Sequence, residues 1–172
     1  MRLMLACAVT FLASTAWAQQ PPGATTPDPT KAAYVSAADL AAMVAKQPAD
    51  RNGTISRLLQ TPGYSVNIEH RVNVPQTASV HETEAELFYV IDGGATIVSG
   101  GKLIEPTRNG ANLSSTKGVE GGVSQKLAKG DFVMVPAGVP HWFTEIQGSI
   151  TQMALHLPIA AAAAGAEPGR GR

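Results

Sequence analysis

The sequence predicts an all-β domain, a barrel or sandwich of short antiparallel strands preceded by one short helix. Three observations predict it. Apolar and polar residues alternate over 65–73: Val66, Ile68, His70 and Val72 share one face, and Asn67, Glu69 and Arg71 the other. Further short apolar runs follow, separated by turn pairs such as Asp92-Gly93 and Gly100-Gly101. Seventeen Gly and twelve Pro beside only 15% charged residues favour turns and strands over long solvated helices. No internal period suggests a solenoid or propeller.

The 172 residues make one domain with tails, and 44% hydrophobic content supplies a core. Thirteen basic residues balance thirteen acidic ones. A zero net charge argues against nucleic-acid binding and against a polybasic membrane-surface protein. The single cysteine, Cys7, rules out an intramolecular disulfide and a four-cysteine zinc site.

Both ends fall outside the expected domain. Arg2, the apolar run Leu3 to Leu12 and the small-x-small triplet Ala16-Trp17-Ala18 form a signal peptide over 1–18. The run is too short to span about 30 Å of hydrocarbon. Cleavage after Ala18 leaves Gln19 as the mature N-terminus, no cysteine, and a periplasmic or secreted protein without a membrane segment. Residues 19–34, with Pro21, Pro22, Pro27 and Pro29, are a flexible linker. Residues 159–172 are a disordered tail, which leaves 35–158 as the domain.

Within the domain, Ser36 caps a short helix with Asp39 three residues on, and Leu40, Met43 and Val44 share one face. Strands follow at Ser65 to Asn73 and at Glu86 to Ile91. Asp92-Gly93 is expected to turn the second into a hairpin whose return is Ala95 to Val98. The polar stretch Glu105 to Gly122 is expected to be a long loop folded over the barrel mouth. Four more strands run Val123 to Leu127, Phe132 to Val135, His141 to Ile146 and Ile150 to Leu157.

Two stretches carry chemistry: His81-Glu-Thr-Glu-Ala-Glu86, reaching Gly93 seven residues later, and Gly130 through Pro136 and Gly138 to His141. Together they resemble the two motifs of the cupin superfamily, over roughly Ser65 to Leu157. Gly130, Pro136, Gly138 and His141 all fall at the second motif's spacing. His81, Glu86 and Gly93 match the later part of the first. The resemblance implies a double-stranded β-helix, the cupin or jelly-roll barrel. It departs at Ser79, where the family has the first histidine of motif one, and at Glu145, where it has an asparagine.

Strand alternation places Ser79 and His81 on one face, and Glu86 at the head of a face that continues with Phe88 and Val90. A carboxylate there is costly unless something compensates it. His81, Glu86 and His141 make a facial set for one divalent metal ion (Fe, Mn, Zn or Ni). Glu84 has the same parity as Glu86, but the spacing to Gly93 favours Glu86. His70, Ser79, Phe88 and Phe143 are expected to line the pocket or support the ligands, and Ser79 leaves a coordination position for water or substrate. His156 shares a less apolar face with Gln152, which leaves a pocket role for it open. Trp142 with Tyr89 and Ile91 would suit a homodimer contact. The expected function is a metal-dependent enzyme of oxygenase, isomerase or lyase type acting on a small organic molecule. The other reading is a non-catalytic small-molecule binding or sensing module whose metal is structural or lost.

Overall fold

A computed structural model describes residues 28, 30–61 and 63–159. The expected signal peptide, all four of the linker's prolines and the tail beyond 159 lie outside them. Helix α1 (Ala37–Val44) starts where expected: the Ser36 hydroxyl accepts from the Asp39 backbone N–H at 3.0 Å and donates to its carboxylate. Among the described residues no helix is long and apolar enough to cross a membrane.

All else is sheet: β1 (Gly53–Thr61), β2 (Tyr64–Val72), β3 (Ala78–His81), β4 (Glu84–Ser99), β5 (Lys102–Leu103), β6 (Thr107–Asn109), β7 (Asn112–Ser115), β8 (Val119–Glu120), β9 (Val123–Ala128), β10 (Phe132–Val135), β11 (His141–Thr144) and β12 (Ser149–Pro158). Every pairing is antiparallel. One wall runs β1-β2-β12-β4-β10, the other β9-β4-β11-β3-β7-β6, and β4 belongs to both. This is the jelly-roll barrel the sequence predicts.

The expected hairpin at Asp92-Gly93 does not form. The chain runs straight through it as the 16-residue β4. Gln152 pairs with Val90 while Thr151 pairs with Asp92, so Ile91 is the extra residue of a bulge. Gly93 adopts φ 78°, and a Cβ there would strike the Ser149 carbonyl oxygen. The bulge reverses the parity of β4: Glu86, Phe88 and Val90 are buried before it, Ala95 and Ile97 after it. One strand thereby bends from one wall into the other.

The stretch 105–122 is not a loop either. Its β6–β7 hairpin adds to the edge of β3, with His81 opposite Asn112, and β8 pairs with β5. β6 is wholly exposed, which is why its composition looks like loop.

β2 also differs. Register places Arg71, Glu69 and Asn67 opposite Ile150, Gln152 and Ala154, and these last three are fully buried. Glu69 and Arg71 therefore point into the barrel, and the apolar residues Val66 and Ile68 face outward. The inner core is built on Phe88, Val90, Ile97, Phe143, Ile150 and Ala154.

Candidate metal centre

Four side chains converge at one end of the barrel. Glu86 enters from the first half of β4 and is 3% exposed. His156 stands directly opposite it on β12. His141 opens β11, delivered by the turn through Pro136 and Gly138, and His81 ends β3. The Glu86 carboxylate lies 3.2 Å from His141 Nε2, 3.4 Å from His81 Nε2 and 3.3 Å from His156 Nε2. Ligand atoms of His81, Glu86 and His156 all fall within 4.8 Å of one another, a spacing that fits a single ion.

The outer nitrogen of each ring faces an oxygen. His81 Nδ1 lies 3.0 Å from Asn112 Oδ1, His156 Nδ1 3.1 Å from Glu84 Oε2, and His141 Nδ1 3.4 Å from the Val139 carbonyl. These partners accept, so each neutral ring carries its proton on Nδ1 and turns the lone pair of Nε2 inward. Three lone pairs thus meet a carboxylate with nothing to donate between them. Glu86 Oε2 is buried and receives no hydrogen bond. A divalent ion fits the donors of such a set.

The same geometry sets the electrostatics. Burial would raise the Glu86 carboxyl, but the hydrogen bonds that His141 and His81 donate when a proton stands in place of an ion outweigh it and bring it down to about 2. Glu86 in turn raises His81, against the opposing effect of burial.

The structure therefore brings together His81, Glu86 and His141, and adds His156 to them. Ser79 stands opposite His141 in register, on the same inner face. Phe88 forms the floor, its ring centroid 5.9 Å from that of His141. Phe143 lies a layer deeper, 5.2 Å from Phe88 and beneath the Arg71 guanidinium at 4.7 Å. His70 is not at the pocket. It pairs with Thr151, on the face opposite the one that bears Glu86, and its Nδ1 lies 2.8 Å from the Thr151 hydroxyl. Trp142 is turned away from the ion site, as alternation requires, but it is not a free contact surface. Its indole N–H donates to the Gln76 carbonyl at 3.0 Å and its ring covers Gly118.

Fold and site together define a small protein with a single jelly-roll barrel and a candidate metal centre at one end. No family model matches the chain, and no curated protein does. Solved structures do resemble it. TT1209 from Thermus thermophilus is 16% identical with a TM-score of 0.48, covering 69% of this chain and 93% of that one. Hydroxypropylphosphonic acid epoxidase from S. wedmorenis is 19% identical with a TM-score of 0.48, covering 63% and 51%. The DMSP lyase DddQ from Ruegeria pomeroyi is 15% identical with a TM-score of 0.44, covering 66% and 50%. The likeness is one of fold.

Proposed function

We propose that this chain is an exported cupin-type metalloenzyme that holds one divalent ion (Fe, Mn, Zn or Ni) and acts on a small organic molecule. The observation that carries the reading is the convergence of three Nε2 lone pairs on one buried carboxylate, those of His81 and His141 on its Oε2, which lacks a hydrogen bond, and that of His156 on its Oε1. His81, Glu86, His141 and His156 would hold the ion, with His156 supplying from β12 the imidazole that Ser79 does not. The ion would polarise a bound oxygen as a Lewis acid or, as iron, serve an oxygenase. Around it this chain's residues fix the three ring orientations and close the floor with Phe88. A second reading has one observation in its favour: four protein donors can close a site, which is the mark of a structural metal in a binding or sensing module.

Purified protein incubated with Mn, Fe, Zn and Ni should retain about one equivalent of metal, and His156→Ala should weaken retention by about a hundredfold. A chain that stays metal-free with all four sinks the proposal. Retained metal with His156→Ala unchanged removes His156 from the ligand set.

Two further parts rest on separate features. Export rests on Arg2, the apolar run and Ala16-Trp17-Ala18; the intact mass of protein recovered outside the cytoplasm should correspond to a start at Gln19, and a full-length mass there overturns it. A homodimer rests on the outward face of the first wall. Phe132, Tyr89 and Met153 form one row across it, ending at Ile68, which this chain itself covers, and Met134, Leu87, Leu155 and Val66 form the next. Neither row holds a charge, and Phe132 and Met134 are 67% and 51% exposed. Sedimentation should give twice the chain mass, and Phe132→Lys should give the monomer; a monomeric wild type removes this part.

A further inference from the structure

Beside His141 the barrel wall carries a row of hydroxyls. Thr107 pairs with Ser114, Ser114 with Ser79, Ser79 with His141, and His141 with Ser99. Residues paired across antiparallel strands share a face, so these side chains stand on the inner face with His141. The next row toward the mouth is Asn109, Asn112 and His81. Neither row contains Lys or Arg. The cation of this hairpin, Arg108, alternates to the other face and is engaged by both carboxylate oxygens of Glu82, at 2.6 and 3.0 Å.

Charge points the same way. A divalent ion would be offset by Glu86 and by Glu84, which sits on His156. The loaded centre is then neutral and holds no side chain to clamp an anionic group. Ser79 is also far shorter than an imidazole, so space is left on its side of the ion. The unpartnered, buried Glu86 Oε2 is shared with His141 of that same row.

Resting on the metal reading above, we infer that the ligand of this centre is a small, uncharged hydroxy or carbonyl compound. Its oxygen enters on the Ser79 side of the ion and is held there by the Ser79 and Ser114 hydroxyls. A phosphorylated or sulfonated molecule finds no cation to receive its charge.

The test uses the full protein loaded with Co(II), whose visible spectrum reports changes at the ion. Dihydroxyacetone and dihydroxyacetone phosphate are the matched probes. Dihydroxyacetone should give a saturable spectral change, and its phosphate ester should bind less than about tenfold more tightly, because the added charge meets no partner. Ser79→Ala and Ser114→Ala should each weaken dihydroxyacetone by about threefold to tenfold, the loss of one hydrogen bond, with Co(II) affinity unchanged. The inference alone is overturned if loaded protein shows no saturable change with dihydroxyacetone. The same holds if the ester gains about tenfold or more, or if Ser79→Ala costs less than about threefold. A chain that takes up no Co(II) overturns the metal reading and this inference with it.

Discussion

Glu86→Gln should abolish metal retention and remove the centre's response to pH. The carboxylate is the anionic donor at the point where the three imidazoles meet. Neutralising it without changing its shape should cost well over about a hundredfold in metal affinity, more than loss of an outer hydrogen-bond partner costs. In metal-free wild type, Glu86 raises His81 above its ordinary 6.5. That stabilisation is complete below 6.5 and is lost as pH rises through the raised folded value. The melting temperature of chelator-treated protein should therefore fall as pH rises above 6.5 through that raised value, as far as this pair contributes. Metal-loaded protein should do the opposite, because protons compete with the ion for Nε2. The carboxyl of Glu86, lowered to about 2, adds a stabilising contribution present above its ordinary 4.5 and lost only as pH falls through about 2. Glu86→Gln removes both slopes. Thermal melts of the two proteins with chelator and with Zn check this. Parallel curves for wild type and variant would show that the carboxylate does not govern the centre.

Local spacing is enough to find three members of this centre. His81 and Glu86 lie within one strand-turn-strand segment, and the turn residues before His141 announce it. His156 stays open on sequence alone because its partners Glu84 and Glu86 lie some seventy residues upstream. Alternation on β12 also has little contrast: Thr151, on the outer face, is as buried as its inner neighbours. The Asp92-Gly93 pair carries the same local signal as a hairpin turn. Only the close approach of Ser149 shows that the glycine serves a bulge. On β2 the rule that apolar residues face inward misplaces His70, because this barrel turns a part-buried ion pair inward and the apolar residues to the outer side of the sheet, where Ile68 and Val72 are still covered. The strands of 105–122 are hidden by their polarity, which belongs to a sheet edge whose inner side meets the centre and whose outer side meets water.

That inward ion pair yields the second large expected effect. Arg71→Met should lower stability by about 3 kcal/mol, because it strands a carboxylate inside the barrel. Arg71 Nη2 lies 2.7 Å from Glu69 Oε2, and Nη1 lies 3.3 Å from Gln76 Oε1. With Arg71 gone, the remaining side-chain donor to Glu69 among the described residues is the Gln152 amide at 3.1 Å, and Gln152 is itself fully buried. Phe143 would also lose the guanidinium stacked over it. Even intact, the group leaves Arg71 Nε and Gln152 Oε1 without hydrogen bonds, so the pair is poorly compensated for its desolvation. The double variant Arg71→Met with Glu69→Leu should therefore recover most of the loss and match or exceed wild type. Metal affinity should not move in either variant, since Phe88 and Phe143 separate this cluster from the histidines. Urea unfolding of the four proteins of the cycle measures it. A single variant that costs under about 1 kcal/mol, or a double variant no better than the single, would mean that water already compensates Glu69 inside the barrel.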